Sequence, residues 1–342
     1  MKKIAVVEMS FHKKTKSFDF FKNLLAAHFE IREFFDDNRQ NGKEASIQEI
    51  NEYGPDVVLY CQFIHSPHKI LKLRCRNLVW VPMFDGERLR SYLGWMKYVL
   101  AGVKVLCLSQ TLFAKVKHHG FVSLYKQYCP DPAVLPLAKG NDRHPVLFFW
   151  PRSKISWEFA KTLIGHWQIA QVFFKNDPDP DNSISLPSEE DIKKFNIRIM
   201  EGWLSREEYL ALLSSSDIFL QAREYEGVGI SFLEAMAMGL CVIAPDRPTM
   251  NEYIKDGFNG CLFDPDHPHR IAGQPLKEVS HHARESMREG YEKWRNATPE
   301  IIDFISRVPV RGQGGNRLVL KTAILIYDAL KSLYRFVKRG SL

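Results

Sequence analysis

Short apolar runs alternate with amphipathic stretches along most of this chain, and this alternation limits the possible folds more than any other feature. Strands buried on both faces read as continuous apolar runs, so the alternation indicates parallel strands joined by crossover helices. In the first half, the runs predict strands at 4–7, 31–35, 57–60, 78–81 and 105–108. The sequence therefore predicts an α/β fold with a doubly wound parallel sheet.

A proline-rich segment separates two copies of this pattern. Residues 129–145 hold four prolines and few periodic apolar positions, as linkers do. The alternation then restarts, with strands predicted at 146–150, 170–174, 197–200, 218–221, 241–244 and 261–263. At about 150 residues per domain, the 342 residues suffice for two domains. We expect two Rossmann-like domains, residues 1–140 and 141–310, that face each other across a central ligand-binding cleft.

The last segment, residues 311–342, carries an apolar stripe at helical spacing. The stripe consists of Val319, Ala323, Ile326, Leu330, Leu333 and Val337. Residues 317–342 also hold six basic side chains and one acidic one, so they supply +5 of the net charge of +7. Two interpretations stay open: an amphipathic helix that packs back on the domains, or one that touches an anionic membrane surface.

Charge and cysteine content exclude several protein classes. The rest of the chain is nearly neutral and lacks a basic stripe with interleaved aromatic residues, so we expect no nucleic acid partner. Six cysteines are scattered without a C-x-x-C pair, which fits a reducing compartment. The first apolar run stops at Glu8, too early for a signal peptide, and charged residues interrupt the late apolar stretch. We expect a cytoplasmic protein, at most peripheral at the inner face of the membrane.

The most informative segment follows the predicted strand at 218–221. A loop with Gly227 and Gly229 leads into a helix. A helix N-terminus presents free N–H groups and a partial positive charge, and glycines let a phosphate approach the backbone closely. Glu226 in the loop and Glu234 on the helix can accept hydrogen bonds from sugar or ribose hydroxyls. Together these residues predict a nucleotide-sugar pocket.

Seven residues separate the two glutamates in the run Glu-Gly-Val-Gly-Ile-Ser-Phe-Leu-Glu-Ala-Met-Ala-Met-Gly. This run resembles the Glu-x7-Glu signature of family 4 (group 1) glycosyltransferases, which have the GT-B fold, and the similarity extends over residues 199–264. The resemblance implies a hexosyltransferase that moves a sugar from a UDP- or GDP-linked donor to a hydroxyl of a saccharide or lipid-linked saccharide. It also implies retention of configuration, a place in surface polysaccharide or glycolipid assembly, and neither cofactor nor metal.

The resemblance also assigns roles on the donor side. Glu234 would bind the ribose hydroxyls and Glu226 the donor sugar. The backbone of five residues would hold the sugar and diphosphate: Gly227, Val228, Gly229, Ile230 and Ser231. The family has an Arg and a Lys that neutralise the leaving diphosphate, and this chain offers Arg152 and Lys154 at a shorter spacing, with Lys175 as a substitute. Trp203 is predicted to flank the nucleotide base.

The first domain departs further from the family. The loop after its first strand reads Ser-Phe-His-Lys-Lys-Thr-Lys at positions 10–16, without the glycines that many relatives carry. We expect His12, His65 and Asp85, in loops at strand ends, to lie on the acceptor side, with Asp85 the first choice for a catalytic contact. An inverting enzyme would need a general base, for which Asp85 or His65 would serve.

Other functions remain open beside this one. The Asp-Pro-Asp-Pro-Asp run at 177–181 contains an Asp-x-Asp element, which we interpret as a proline-stiffened surface loop and not a metal site. A noncatalytic glycosyltransferase-like partner in a glycan assembly complex and a sugar-nucleotide epimerase are the alternatives. An NAD-dependent dehydrogenase is disfavoured because no G-x-G-x-x-G follows a strand.

Overall fold

The computed structural model describes residues 1–38, 42–140, 144–152, 154–177, 183–308 and 318–326. Contacts among its residues divide the chain into two units. The first comprises Met1–Lys126 together with the chain from Ala297 onward, and the second comprises Gln127–Asn296. Each unit is built on one parallel sheet, as the sequence predicted.

The sheet of the first unit has six strands. They are β1 (Lys2–Glu8), β2 (Phe29–Phe35), β3 (Val57–Gln62), β4 (Leu78–Pro82), β5 (Lys104–Cys107) and β6 (Ser123–Tyr125), in the order β2-β1-β3-β4-β5-β6. The five predicted strands are confirmed, and their apolar runs form the buried centre of the sheet. β6 was not predicted, because this edge strand has three half-buried residues and no apolar run.

Seven helices connect these strands. They are α1 (Phe11–Thr15), α2 (Asp19–Ala26), α3 (Ile47–Tyr53), α4 (Pro67–Ile70), α5 (Phe84–Glu87), α6 (Tyr92–Leu100) and α7 (Gln110–His118). Serine side chains accept hydrogen bonds from the backbone at the start of α3, α6 and α7, so these helix starts are encoded locally.

The second unit repeats the architecture. Its strands are β7 (Val146–Phe149), β8 (Gln171–Asn176), β9 (Ile197–Glu201), β10 (Ile218–Leu220), β11 (Cys241–Pro245) and β12 (Cys261–Phe263), in the order β12-β11-β10-β7-β8-β9. Its helices are α8 (Trp157–Ile164), α9 (Glu189–Lys194), α10 (Arg206–Ser214), α11 (Ile230–Met238) and α12 (Leu276–Asn296). The strand order reverses between β7 and β10, and ligands of such sheets bind at the strand ends beside that reversal.

The unit boundaries differ from the predicted ones at 140/141 and 310. The proline-rich segment is bound to the second unit, because the amides of Ala138 and Lys139 donate to the carbonyls of Met238 (2.8 Å) and Ser214 (3.1 Å). The chain returns to the first unit at α13 (Thr298–Ser306). There Lys104 Nζ donates to the carbonyls of Phe304 (2.5 Å), Ile305 (3.3 Å) and Arg307 (2.5 Å). A buried cation thus satisfies the C-terminal end of α13.

The C-terminal stripe is described only in part. Residues 318–326 are helical, and Leu320 is buried whereas the stripe residues Val319, Ala323 and Ile326 are exposed. The buried position, Leu320, therefore lies one residue after the predicted stripe position Val319. Leu330, Leu333, Val337 and the basic residues after position 326 lie outside the described residues.

Within the described part of the chain, no helix is long and apolar enough to cross a membrane.

Candidate active site

The predicted strand, glycine loop and helix are present between β10 and α11. Gly229 caps the N-terminus of α11 in the left-handed conformation (φ 75°), and a Cβ there would overlap the ring of Phe232. Gly239 ends the helix, also left-handed (φ 81°). Every residue from Phe232 to Met238 is buried, so α11 is a core helix with a fixed orientation. Its N-terminal amides therefore have a fixed direction at the end of β10.

A pocket lies at these strand ends, beside the reversal between β7 and β10. Its walls are Trp150, Arg152, Phe219, Gln221, Arg223, Glu226 and Ser231. The pocket wall thus contains two arginines, the start of α11 and one carboxylate, that of Glu226. This arrangement favours an anionic ligand with hydroxyl groups.

Glu226 is held in place at the pocket wall. Gln221 Nε2 donates to Glu226 Oε1 at 2.7 Å, and Arg223 Nε lies 3.8 Å from the same oxygen. Gln221 directly follows β10, so the end of the strand fixes the direction of this carboxylate. Gln221 and Arg223 were not predicted as site residues; their positions just after a central strand are the signal that the sequence offers.

Glu234 is buried and paired with a residue that the sequence did not indicate. Arg206 Nη1 donates to Glu234 Oε2 at 2.8 Å, and Arg206 Nη2 donates to Oε1 at 2.6 Å. Burial raises the pKa of Glu234, and the guanidinium opposes that shift. Burial and the charge of Glu234 also raise the pKa of the Tyr128 and Tyr209 phenols, which therefore stay neutral.

The three predicted cations have different surroundings. Arg152 lines the pocket, and its guanidinium lies 4.2 Å from the centre of the Trp150 ring. Lys154 donates to Glu224 at 2.8 Å and Asp266 at 3.2 Å, and these hydrogen bonds raise its pKa. Lys154 is not part of the pocket wall.

Lys175 is buried and donates to Asp177 Oδ2 at 2.6 Å. Its ammonium lies 3.8 Å from the centre of the Trp150 ring and 5.6 Å from that of Trp203, which is 44% exposed. Lys175 therefore binds an acid and an aromatic surface behind the pocket wall. The other residues of the Asp-x-Asp run, 178–181, lie outside the described residues.

In the first unit, the predicted histidines are buried in hydrogen-bond networks. His12 lies in α1, not in a loop, and its two ring nitrogens contact Glu8 Oε2 and Gln62 Oε1, each at 3.0 Å. His65 contacts Tyr60 Oη at 3.1 Å and Asp36 Oδ2 at 3.0 Å, and burial lowers its pKa. Both rings use both nitrogens within the protein.

Asp85 lies in the short helix α5, again not in a loop, and its Oδ1 accepts from the amide of Gly86 at 2.8 Å. Among the described residues, one group has the composition of a metal site: Asp36, Glu44 and His65 have ligand atoms within 4.8 Å of one another. His65 binds Asp36, and Lys69 pairs with Glu44, so protein partners already satisfy these ligand atoms.

Comparisons with known proteins agree with this geometry. Residues 191–294 match the family model described as glycosyl transferases group 1. That segment is similar to the group 1 glycosyl transferases. It contains α10, α11, Arg206 and both glutamates of the Glu-x7-Glu run. A search of curated protein sequences found no match.

Solved structures show the same fold at low sequence identity. A glycosyltransferase from Rickettsia africae has a TM-score of 0.59 and 14% identity, with 89% of this chain and 98% of that chain covered. Anabaena Alr3699/HepE, in complex with UDP and glucose, has a TM-score of 0.51 and 13% identity, with 97% of this chain and 100% of that chain covered. TarM has a TM-score of 0.54 and 12% identity, with 76% of this chain covered. This chain spans only 57% of the TarM chain. The two parallel sheets and these neighbours confirm the predicted GT-B fold.

The turn at Gly229 gives a stability prediction. Gly229→Ala should lower the free energy of unfolding by about 3 kcal/mol, because it adds overlap with Phe232 to the cost of a left-handed alanine. Gly257 is the matched control, since it is also left-handed (φ 70°) with nothing within 4 Å of a Cβ. Gly257→Ala should cost about 1 kcal/mol. Urea unfolding measures both; equal costs would show that Phe232 moves aside freely.

Proposed function

We propose that the chain is a glycosyltransferase that moves a hexosyl group from a UDP- or GDP-linked donor to a hydroxyl group of a saccharide or lipid-linked saccharide. The observation that carries this proposal is the pocket at the ends of β7 and β10. Arg152, Arg223, Glu226 and Ser231 in the first turn of α11 line this pocket, which supports binding of a diphosphate and a sugar there.

We propose the following donor roles. The backbone of residues 227–231 holds the diphosphate and sugar, Glu226 accepts hydrogen bonds from sugar hydroxyls, and Glu234 accepts them from the ribose. Trp203 is partly exposed beside Lys175 and offers a flat surface to the nucleotide base. The match of residues 191–294 to the group 1 family supports these roles, since Trp203, Glu226, Glu234 and residues 227–231 lie inside it.

The transfer itself depends on charge stabilisation. The bond between the sugar C1 and the phosphate oxygen breaks, and the acceptor oxygen bonds to C1 from the same face. The acceptor proton passes to the departing phosphate oxygen, and Arg152 with the α11 amides stabilises the negative charge on the leaving group. Configuration is then retained, and proton NMR of the product anomer distinguishes this course from inversion.

On the acceptor side we propose Asp85 as the residue that contacts the acceptor hydroxyl. His12 and His65 are buried with both ring nitrogens bonded, so either would have to break a hydrogen bond to reach an acceptor. Their networks join β1, β2 and β3 at the strand ends, where they can hold the acceptor side of the unit rigid.

We expect ligand binding to identify the donor nucleotide. UDP, GDP, ADP and CMP should be compared by thermal shift, because a ligand at about 100 times its dissociation constant stabilises the folded state by about 2.7 kcal/mol. One nucleoside diphosphate should raise the melting temperature of the wild type but not that of Glu234→Gln. Glu207→Ala, an exposed glutamate on α10, is the control and should respond like the wild type. A shift with none of these nucleotides would refute the donor site.

The two predicted cations should differ in importance. Arg152→Met should lower kcat/KM for donor about 100-fold, because the substitution removes a charge that faces the leaving diphosphate. Lys154→Met should change it less than about threefold, because two carboxylates already neutralise this ammonium. Steady-state release of the nucleoside diphosphate measures both. Equal losses would show that Lys154 leaves its acidic partners and binds the donor.

We further propose that the C-terminal helix attaches the protein to an anionic membrane, which places it near lipid-linked acceptors of polysaccharide or glycolipid assembly. Leu325 and Ile326 are 69% and 55% exposed on the helical segment 318–326. Apolar residues followed by basic ones are typical of peripheral attachment.

Co-sedimentation with vesicles of phosphatidylcholine and phosphatidylglycerol tests the attachment. Leu325→Glu/Ile326→Glu should abolish sedimentation with these vesicles without lowering the melting temperature, since both side chains are exposed. Val134→Glu/Leu186→Glu adds the same charge at exposed apolar positions of the second unit and should leave sedimentation intact. Equal sedimentation of all three proteins would contradict the attachment.

A further inference from the structure

The ion pair between Arg206 and Glu234 joins the start of α10 to the middle of α11. It is bidentate, with one N–H donated to each carboxylate oxygen at 2.8 and 2.6 Å. Arg206 is the first residue of α10, and a capping box between Ser205 and Glu208 fixes that helix start. The position of the guanidinium is therefore set by local sequence, and the carboxylate is aligned against it.

The two partners differ in exposure. The Glu234 side chain is only 9% exposed, whereas that of Arg206 is 48% exposed. A carboxyl group so buried tends to stay neutral, and Arg206 is the group that draws its pKa back down. Among the described residues, polar groups around this pair include the neutral phenols of Tyr128 and Tyr209. Arg284 of α12 donates to the carbonyls of Ala237 and Pro132.

The charge and the orientation of the Glu234 carboxylate both affect how it can bind a ribose hydroxyl. An ionised carboxylate has about four lone-pair directions, and a bidentate guanidinium uses two of them. One lone-pair direction on each oxygen remains, and because these two directions point to opposite sides of the carboxylate, a ribose hydroxyl can reach one of them. Hydrogen bonds to an ionised carboxylate are roughly twice as strong as those to a neutral group.

We propose that Arg206 is a positioning residue for the donor ribose: it holds the Glu234 carboxylate ionised and aligned so that a remaining lone pair accepts a ribose hydroxyl. This inference rests on the proposed function, in which Glu234 binds the ribose. It assigns to the donor site a residue outside the Glu-x7-Glu run, and it makes nucleotide affinity depend on the protonation of Glu234.

Calorimetric titration of Arg206→Met and Arg206→Lys tests this role. The probes are whichever of UDP, GDP and ADP stabilises the wild type, and the 2′,3′-dideoxy analogue of that nucleotide. Arg206→Met should bind the nucleotide about tenfold more weakly than the wild type at neutral pH. Arg206→Lys should lie between the wild type and Arg206→Met, because an ammonium keeps Glu234 charged but cannot form the bidentate pair that aligns it. The dideoxy analogue should bind Arg206→Met and wild type within about twofold of each other.

The pH profile provides a readout that a merely structural role would not change. Without Arg206 the pKa of Glu234 rises further, so Glu234 becomes protonated at a higher pH than in the wild type. When the pH is lowered from about 8 to about 5.5, the nucleotide affinity of Arg206→Met should therefore begin to fall at a higher pH than that of the wild type. The ratio of variant to wild-type affinity at each pH removes the nucleotide's own protonation from the comparison. Thermal melts of both variants without ligand establish that they are folded.

The outcomes separate this inference from the proposed function. An equal loss of affinity for the nucleotide and its dideoxy analogue would show that Arg206 binds the diphosphate directly, and would overturn the positioning role alone. An Arg206→Met variant with wild-type affinity and pH profile would overturn it as well. A wild type that binds no nucleoside diphosphate would overturn the proposed function and this inference together.

Discussion

The left-handed turn at Gly229 is the constraint on which the candidate site depends. The ring of Phe232 fills the space that a Cβ at Gly229 would need, so the backbone enters α11 in one direction. Because α11 is buried from Phe232 to Met238, that direction is fixed by the core of the second unit. The helix N-terminus, the pocket wall at Ser231 and the carboxylate of Glu234 are positioned by this one packing arrangement.

The cations on and near the pocket wall differ in their surroundings. Lys154 is paired with Glu224 and Asp266, and Lys175 with Asp177. Arg152 is part of the pocket wall, and its guanidinium lies 4.2 Å from the centre of the Trp150 ring. In the proposed function, Arg152 and not Lys154 stabilises the leaving diphosphate.

The sequence predicted what is encoded locally and missed what depends on distant contacts. Apolar runs located eleven of the twelve strands described, and glycines marked both ends of α11, because burial and backbone conformation act within a few residues. The Arg206–Glu234 pair joins residues 28 positions apart, and Lys104 binds carbonyls about 200 positions away. No local pattern signals such pairs, so the partner of Glu234 and the return of α13 to the first unit required the structure.

A crystal structure with the bound nucleoside diphosphate tests the central claim most directly. The diphosphate should lie at the N-terminus of α11, with oxygens within hydrogen-bond distance of the amides of residues 229–231 and of the Arg152 guanidinium, and the ribose hydroxyls should contact Glu234. A nucleotide bound at another part of the protein, or with its ribose directed away from Glu234, would contradict the claim that this helix and pocket form the donor site.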